Sequence, residues 1–291
     1  MRLSAPAKVN LGLKILGCRP DGYHLLESLM VPIDLADRLE IEICEAGSVE
    51  LRIEGARSGV PEGGSNLAVR AAVVFREAAR IETGMRLVLE KRIPAAAGLG
   101  GGSSDAAAVL RGLARIYPDA VSPPRLRELA LRLGADVPFF LDPRPALVTG
   151  IGEQIEPISG VPALSLLLVH PGVPLPTRDV YRAYDASPAS LTPLRAGSTM
   201  PGISALREGG GRALAELLEN DLEQAARRLC PRIRELREVI EGSGAQAAGV
   251  SGSGPTVFGI FRDTIAASRA RERLKLAPPV RTWLAMTKGS R

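Results

Sequence analysis

Hydrophobic and polar positions alternate most cleanly at residues 39–43. There Leu39, Ile41 and Ile43 share one face and Glu40 and Glu42 the other, which predicts a half-buried strand. Residues 49–53 repeat the pattern across Glu45-Ala46-Gly47 and predict its hairpin partner. Residues 2–16 read as one or two strands around Pro6. Helical spacing takes over at 66–81, where Leu67, Ala71, Val74 and Ala78 recur every three to four residues behind Asn66, a good N-cap. A strand at 85–90 runs into a glycine-rich segment. Helices are predicted at 104–116 and at 124–133, the second opening with proline and closing before Gly134.

Around 150–162 the texture turns to Gly and Pro. A buried strand at 164–169 and a short helix at 177–184 follow. Residues 186–211 are Ser/Pro/Gly-rich and read as a long loop region. Helices at 212–219, 222–229 and 233–241 precede two strands, 245–250 and 256–261, joined across Ser-Gly-Ser-Gly. A helix at 264–274 and a strand at 281–286 close the chain. Strands and helices mix without strict βα alternation, so the fold class is α+β in two lobes, 1–153 and 154–291. No internal repeat is visible.

Composition narrows the class. The chain has 291 residues, 45% of them apolar but only 3% aromatic, so Leu, Val, Ile and Ala must fill a sizeable core. No apolar run reaches the ~18 residues of a membrane span, and the first residues lack the apolar stretch of a signal peptide. Cys18, Cys44 and Cys230 are odd in number and fit neither a disulfide framework nor a metal spacing, which points to a reducing, cytoplasmic setting. The net charge is +5, with five lysines against thirty-two arginines. The arginines are scattered over helices without a basic, aromatic-interleaved run, so nucleic acid is not an expected partner. A mild positive field would still help recruit anionic nucleotides.

The most informative stretch is 94–108, Pro-Ala-Ala-Ala-Gly-Leu-Gly-Gly-Gly-Ser-Ser-Asp-Ala-Ala-Ala. Glycines at 98, 100, 101 and 102 run into a helix expected to begin near Ser103. A helix start carries free N–H groups and a positive dipole end, a ready site for phosphate. The segment lacks the Gly-Lys-Ser/Thr of a Walker A loop and the spacing of a dinucleotide fingerprint. A flexible Gly/Ser linker is the plain alternative, but this one is clamped between an apolar strand and an alanine-rich helix. Ser103, Ser104 and Asp105 are candidate caps that could also touch phosphate. Asp136, in Leu133-Gly-Ala-Asp-Val-Pro138, is a candidate base or simply a turn former; Val137 before Pro138 is expected to be extended. Lys8 and Asn10 share one strand face. Asn66 is either a plain cap or an adenine contact. Tyr23 and His24 are expected together in a loop after Asp21-Gly22.

Pro94-x-x-x-Gly98-Leu99-Gly100-Gly101-Gly102-Ser103-Ser104-Asp105-Ala106 resembles the central motif of the GHMP small-molecule kinases. Ala5-Pro6-Ala7-Lys8-Val9-Asn10-Leu11 and Gly249-Val250-Ser251-Gly252-Ser253-Gly254-Pro255 resemble the motifs at the two ends of that family, and the resemblance covers nearly the whole chain. Arg19–His24 and Gly134–Phe140 are similar to members acting on a cytidyl diphosphate sugar alcohol. The resemblance implies an N-terminal lobe like a ribosomal-protein domain, a C-terminal ferredoxin-like α/β sandwich and a site in the cleft between them. It implies ATP on Asn66, Pro94, Gly98, Leu99, Gly100, Gly101, Gly102, Ser103 and Ser104. It makes Asp136 the base and places Lys8 beside it. Asn10, Tyr23, His24, Thr177, Tyr181, Ser251, Gly252 and Ser253 would hold the acceptor, His24 reading cytosine and Tyr181 stacking on it. From residues alone, a core-facing aromatic is the plainer reading of Tyr181. Mg²⁺ is expected on phosphate oxygens, with Asp105 as a water-mediated ligand. The protein is expected to be a monomer or weak homodimer.

The alternatives are a GHMP kinase for mevalonate-type acids or homoserine, a basic RNA-binding module, and an inactive sugar-nucleotide sensor. A carboxylate substrate would call for an arginine clamp, RNA for aromatic stacking residues, and a dead sensor would not need Lys8 and Asp136. One departure stands out: Ala95, Ala96 and Ala97 occupy positions where relatives often have glycine or another small residue; alanine is small enough to keep the loop shape but resists positive φ.

Overall fold

The computed structural model describes residues 1–45, 47–55, 59–187, 206 and 211–289. It resolves into two compact units with interleaved chain segments. The first draws on Met1–Ala7, Leu35–Ala95 and Gly100–Pro143, the second on Lys8–Asp34, Ala96–Leu99 and Arg144–Arg291. Two long paired strands, β1 (Arg2–Cys18) and β2 (His24–Cys44), contribute to both. The early half of β2 escapes a periodicity reading because residues 28–33 are all buried. A strand covered on both faces shows no alternation.

In the first unit β4 (Gly84–Lys91) pairs antiparallel with β2, from Arg38↔Glu90 to Cys44↔Gly84. It also pairs in parallel with β3 (Val49–Gly55). The expected hairpin between 39–43 and 49–53 therefore does not form. A turn centred on residue 46 would set Glu42 opposite Glu50, and like charges facing each other across strands destabilise the pair. With β4 inserted, Arg86 lies 3.0 Å from Glu42 and 3.6 Å from Glu50. Parallel pairing needs a crossover, supplied by α1 (Leu67–Ala79), which buries Ala68, Ala71, Ala72 and Phe75. Helices α2 (Gly101–Ile116) and α3 (Pro123–Leu133) complete this layer. A 3₁₀ turn, Pro138–Leu141, buries Phe139 and Phe140 edge to face, their rings 5.1 Å apart.

Val137 is helical (φ −63°, ψ −41°), not extended as its place before Pro138 predicts. Its N–H reaches Gly134 O at 3.1 Å, its carbonyl accepts from Phe140 at 3.1 Å, and its side chain is buried. Together these outweigh the pre-proline preference.

In the second unit β5 (Ala146–Thr149) pairs with β2 at Ser28–Met30, and β6 (Gln154–Pro157) pairs with β5. Both strands fall where the sequence shows Gly/Pro texture or little pattern; β6 is short and mostly exposed, a common form for an edge strand. A separate antiparallel sheet runs β10-β7-β9-β8, from β7 (Ser165–His170), β8 (Ala247–Val250), β9 (Val257–Phe261) and β10 (Arg281–Met286). Five helices are described in this unit: α4 (Thr177–Asp185), α5 (Gly211–Leu217), α6 (Glu223–Leu229), α7 (Arg232–Gly242) and α8 (Thr264–Arg273). One core joins sheet and helices through Leu167, Val169, Val180, Ile233, Leu236, Ile240 and Phe261. Most of the loop region expected at 186–211 lies outside the described residues.

Candidate functional site

The chain leaves β4 at Lys91 and enters α2 at Gly101, earlier than Ser103 or Ser104. Gly100 is the N-cap at φ 71°, a left-handed conformation that glycine adopts without strain. The first bond closing the helix runs from Ser104 N to Gly100 O, 2.9 Å. The N–H groups of Gly101, Gly102 and Ser103 precede it at the positive end of a sixteen-residue helix. Ser103 and Ser104 thus lie inside the first turn, and Asp105 just beyond it, rather than capping the helix. Ser104 Oγ is fully buried without a hydrogen-bond partner.

Residues 96–99 are fastened by their backbone. Ala96 O accepts from Leu175 N at 3.2 Å and Ala97 O from Thr256 N at 3.4 Å. Gly98 O accepts from Ser251 Oγ at 2.9 Å, and Leu99 O from Lys8 N at 3.0 Å. Gly98 has φ 75°, and a Cβ there would sit 2.1 Å from Ser251 O. Ala96 takes φ 48° despite its side chain, so the alanine run does not prevent the left-handed turn.

Lys8 and Asn10 meet on β1 as their spacing predicts, and both are buried. Lys8 Nζ donates to Asn10 Oδ1. Asn10 Nδ2 donates to Ser28 Oγ at 2.7 Å, and Ser28 Oγ to Gly12 O at 2.6 Å. Both ends of the Asn10 amide are therefore engaged in orienting the lysine. Asn10 N donates to Ser251 Oγ at 3.3 Å. A Cβ on Gly252 would lie 3.1 Å from both Asn10 Oδ1 and Lys8 Nζ, so the second glycine motif closes over this pair. Ser253 Oγ and Thr177 Oγ1 are 2.9 Å apart. Asn220, which the sequence reading missed, holds the motif from behind: its Nδ2 donates to Val250 O (2.8 Å) and Gly252 O (2.7 Å). In sequence it looks only like an asparagine between two helices, and its Oδ1 does accept from Leu222 N at 2.9 Å.

His24 is the first residue of β2 rather than a loop residue, while Tyr23 is well exposed. The His24 and Tyr181 rings are 4.9 Å apart at 36°, and Tyr184 stands edge-on at 6.0 Å. Tyr181 also packs against the core, in line with the plainer reading of it as a core-facing aromatic.

In the first unit Asn66 caps α1. Its Oδ1 accepts from Ala68 N at 2.9 Å, and its Nδ2 donates to Pro61 O at 2.8 Å. Asp136 is half-buried in the turn after α3. A buried charge cluster that the sequence did not reveal underlies the start of α2. Lys91 Nζ donates to Asp37, and to Asp105 Oδ2 at 2.7 Å. Asp37 Oδ1 accepts from the backbone of Arg92 (2.6 Å) and Ile93 (2.9 Å). Burial pushes Asp105 up to about 7 against the pull of Lys91. Burial also draws Lys91 down, but Asp105 and Asp37 outweigh it and leave the lysine above its ordinary range.

Two family descriptions match the sequence: the GHMP kinases N-terminal domain at residues 66–142 and the GHMP kinases C-terminal domain at 203–279. A 4-diphosphocytidyl-2-C-methyl-D-erythritol kinase of Citrifermentans bemidjiense is 42% identical over 288 residues, covering 98% of this chain and 97% of the relative. A crystal structure of 4-(cytidine 5'-diphospho)-2C-methyl-D-erythritol kinase superimposes with TM-score 0.82 at 41% identity, covering 100% of both chains. The L. major mevalonate kinase in complex with R-mevalonate shares the fold, with TM-score 0.75 at 16% identity, covering 100% of this chain and 96% of that one. With the glycine-led helix start and the buried Lys8–Asn10 pair in place, the chain belongs to the GHMP kinases, within the group of 4-diphosphocytidyl-2-C-methyl-D-erythritol kinases.

Proposed function

We propose that this chain is an ATP-dependent kinase acting on 4-diphosphocytidyl-2-C-methyl-D-erythritol in the non-mevalonate route to isoprenoid precursors. The acceptor 2-hydroxyl oxygen bonds to the γ-phosphorus of ATP, the bond to the bridging oxygen breaks, and ADP leaves. The proton passes from the hydroxyl to the Asp136 carboxylate. Lys8, oriented by Asn10, offsets the charge of the transferring phosphoryl group. The free N–H groups at the start of α2 receive phosphate oxygens, within the ATP-binding stretch Pro94–Ser104. Asn66 serves first as the cap of α1.

Mg²⁺ would be carried on phosphate oxygens, where it lowers the charge the nucleophile meets. The residues fit that arrangement. Ser104 Oγ is an unpartnered buried hydroxyl in the first turn of α2, beside the helix start that would receive the phosphates. Asp105 gives Oδ2 to Lys91 and keeps Oδ1 buried without a hydrogen-bond partner.

The observation that carries the acceptor assignment is the His24–Tyr181 contact, a polar edge beside an aromatic face suited to a pyrimidine. Asn10, Tyr23, Thr177, Ser251, Gly252 and Ser253 complete the acceptor side. Among the described residues no helix is long and apolar enough to cross a membrane. The three described thiols are free, which supports a reducing, cytosolic setting; the protein would act there as a monomer or weak homodimer, without nucleic acid. ATP turnover against the cytidyl acceptor, mevalonate and homoserine tests the proposal. Phosphorylation of the cytidyl acceptor alone is the expected result, and preferred turnover of either acid would overturn it.

A further inference from the structure

One turn of α4 builds a socket around His24. Tyr181, Tyr184 and Asp185 lie at positions i, i+3 and i+4, hence on one helix face. The two rings flank the imidazole, and Asp185 Oδ1 stands 2.7 Å from Nε2. The His24 side chain is only 9% exposed, while that of Asp185 is 55% exposed. A carboxylate is an acceptor only, so Nε2 must be the donor, and in the neutral ring Nδ1 is then the acceptor. Among the described residues Nδ1 has no hydrogen-bond partner. Asp185 is also the last residue of α4, where a negative charge opposes the helix dipole. Helix stability therefore does not account for an acid at this position.

We infer that Asp185 is a positioning residue that fixes the His24 tautomer and so makes the site prefer a pyrimidine bearing a 4-amino donor over one bearing a 4-oxo acceptor. This rests on the reading of His24 as the base-contacting residue. With Nε2–H tied to Asp185, Nδ1 accepts from the exocyclic amine of a cytosine. Presented to a uracil-type ring, the same nitrogen meets a carbonyl oxygen, and two acceptors face each other without a proton between them. Without Asp185 the imidazole is free to exchange tautomers, and the Nδ1–H form would suit the wrong base.

The test uses the full-length protein and two readouts. The chain has two histidines, so long-range ¹H–¹⁵N imidazole spectra at pH 8 are simple to assign. His170, whose Nδ1 accepts from Gly172 N at 3.0 Å, is an internal reference that Asp185 does not touch. Wild-type His24 should show the Nε2–H pattern, Asp185→Ala a mixture of tautomers, and Asp185→Glu a return toward wild type. In titrations, cytidine diphosphate should bind the wild type at least tenfold more tightly than uridine diphosphate. Asp185→Ala should cut that ratio about tenfold, with ATP affinity within twofold and thermal stability no lower. An Nδ1–H pattern in the wild type overturns the inference. So does an Asp185→Ala protein that keeps both the tautomer and the ratio. A wild type that binds both nucleotides equally, with the tautomer still governed by Asp185, overturns the base-reading role of His24 and the specificity drawn from it.

Discussion

The two halves of the glycine-rich segment are held in different ways. Residues 96–99 are fixed by four backbone carbonyls that accept from Leu175, Thr256, Ser251 and Lys8, and by the buried side chains of Ala97 and Leu99. Residues 100–105 open a helix whose first turn stands on a buried lysine between two aspartates. The first half tolerates almost no change of shape. The second depends on how charge is balanced underneath it. Glycine content, one residue in 96–99 and three in 100–105, does not reveal this division of labour between packing and electrostatics.

Paired alanine substitutions should separate packing from chemistry most sharply. Gly98→Ala would place a Cβ 2.1 Å from Ser251 O and 2.9 Å from Gly254 O, both backbone atoms that cannot step aside. Left-handed strain and overpacking together should cost about 2–5 kcal/mol, seen as a lower urea midpoint along with lost activity. At Gly252 (φ 56°) the nearest atoms are the ends of the Lys8 and Asn10 side chains. Gly252→Ala should therefore cost only about 1–2 kcal/mol of stability while lowering turnover by displacing Lys8. If both variants lose stability equally and turnover follows stability, the distinction fails.

A smaller effect tests the charged half. With Asp105 raised to about 7 in the folded protein and near 3.9 in the unfolded chain, the folded state holds a proton that the unfolded state has released. This group's contribution to stability therefore falls as pH rises from about 4 to about 7, by up to about 1.4 kcal/mol per pH unit. Asp105→Asn removes that contribution. Relative to wild type, the variant should become steadily more stable between about pH 4 and about pH 7 and level off above that in urea titrations. Parallel curves would show that Lys91 keeps Asp105 ionised throughout.

These contrasts also show how far the sequence could be read. Asn66 and the apolar spacing behind it made α1 visible, because local capping and a 3.6-residue period are written in neighbouring residues. Lys8 and Asn10 were legible as a pair because a strand alternates with period two. The β3 partner was not, since it depended on Arg86, far along the chain, resolving the clash of Glu42 with Glu50. Asp37, Lys91 and Asp105 are likewise separated in sequence and meet only when β2, β4 and α2 pack. Asn220 and Asp185 resemble ordinary helix-end residues, and only tertiary neighbours reveal what they hold. The start of α2 was misplaced because consecutive glycines look like a loop, whereas here the tertiary cluster continues the helix through Gly101 and Gly102.

Phosphoryl transfer with Asp136 as the proton acceptor can be measured in single-turnover kinetics of Asp136→Ala. Asp136 is half-buried in a turn, so the variant should fold and bind ATP as the wild type does. Transfer to the cytidyl acceptor should fall at least about a hundredfold, the usual contribution of a positioned acid or base. A correctly folded Asp136→Ala protein that transfers phosphate at close to the wild-type rate would contradict the account.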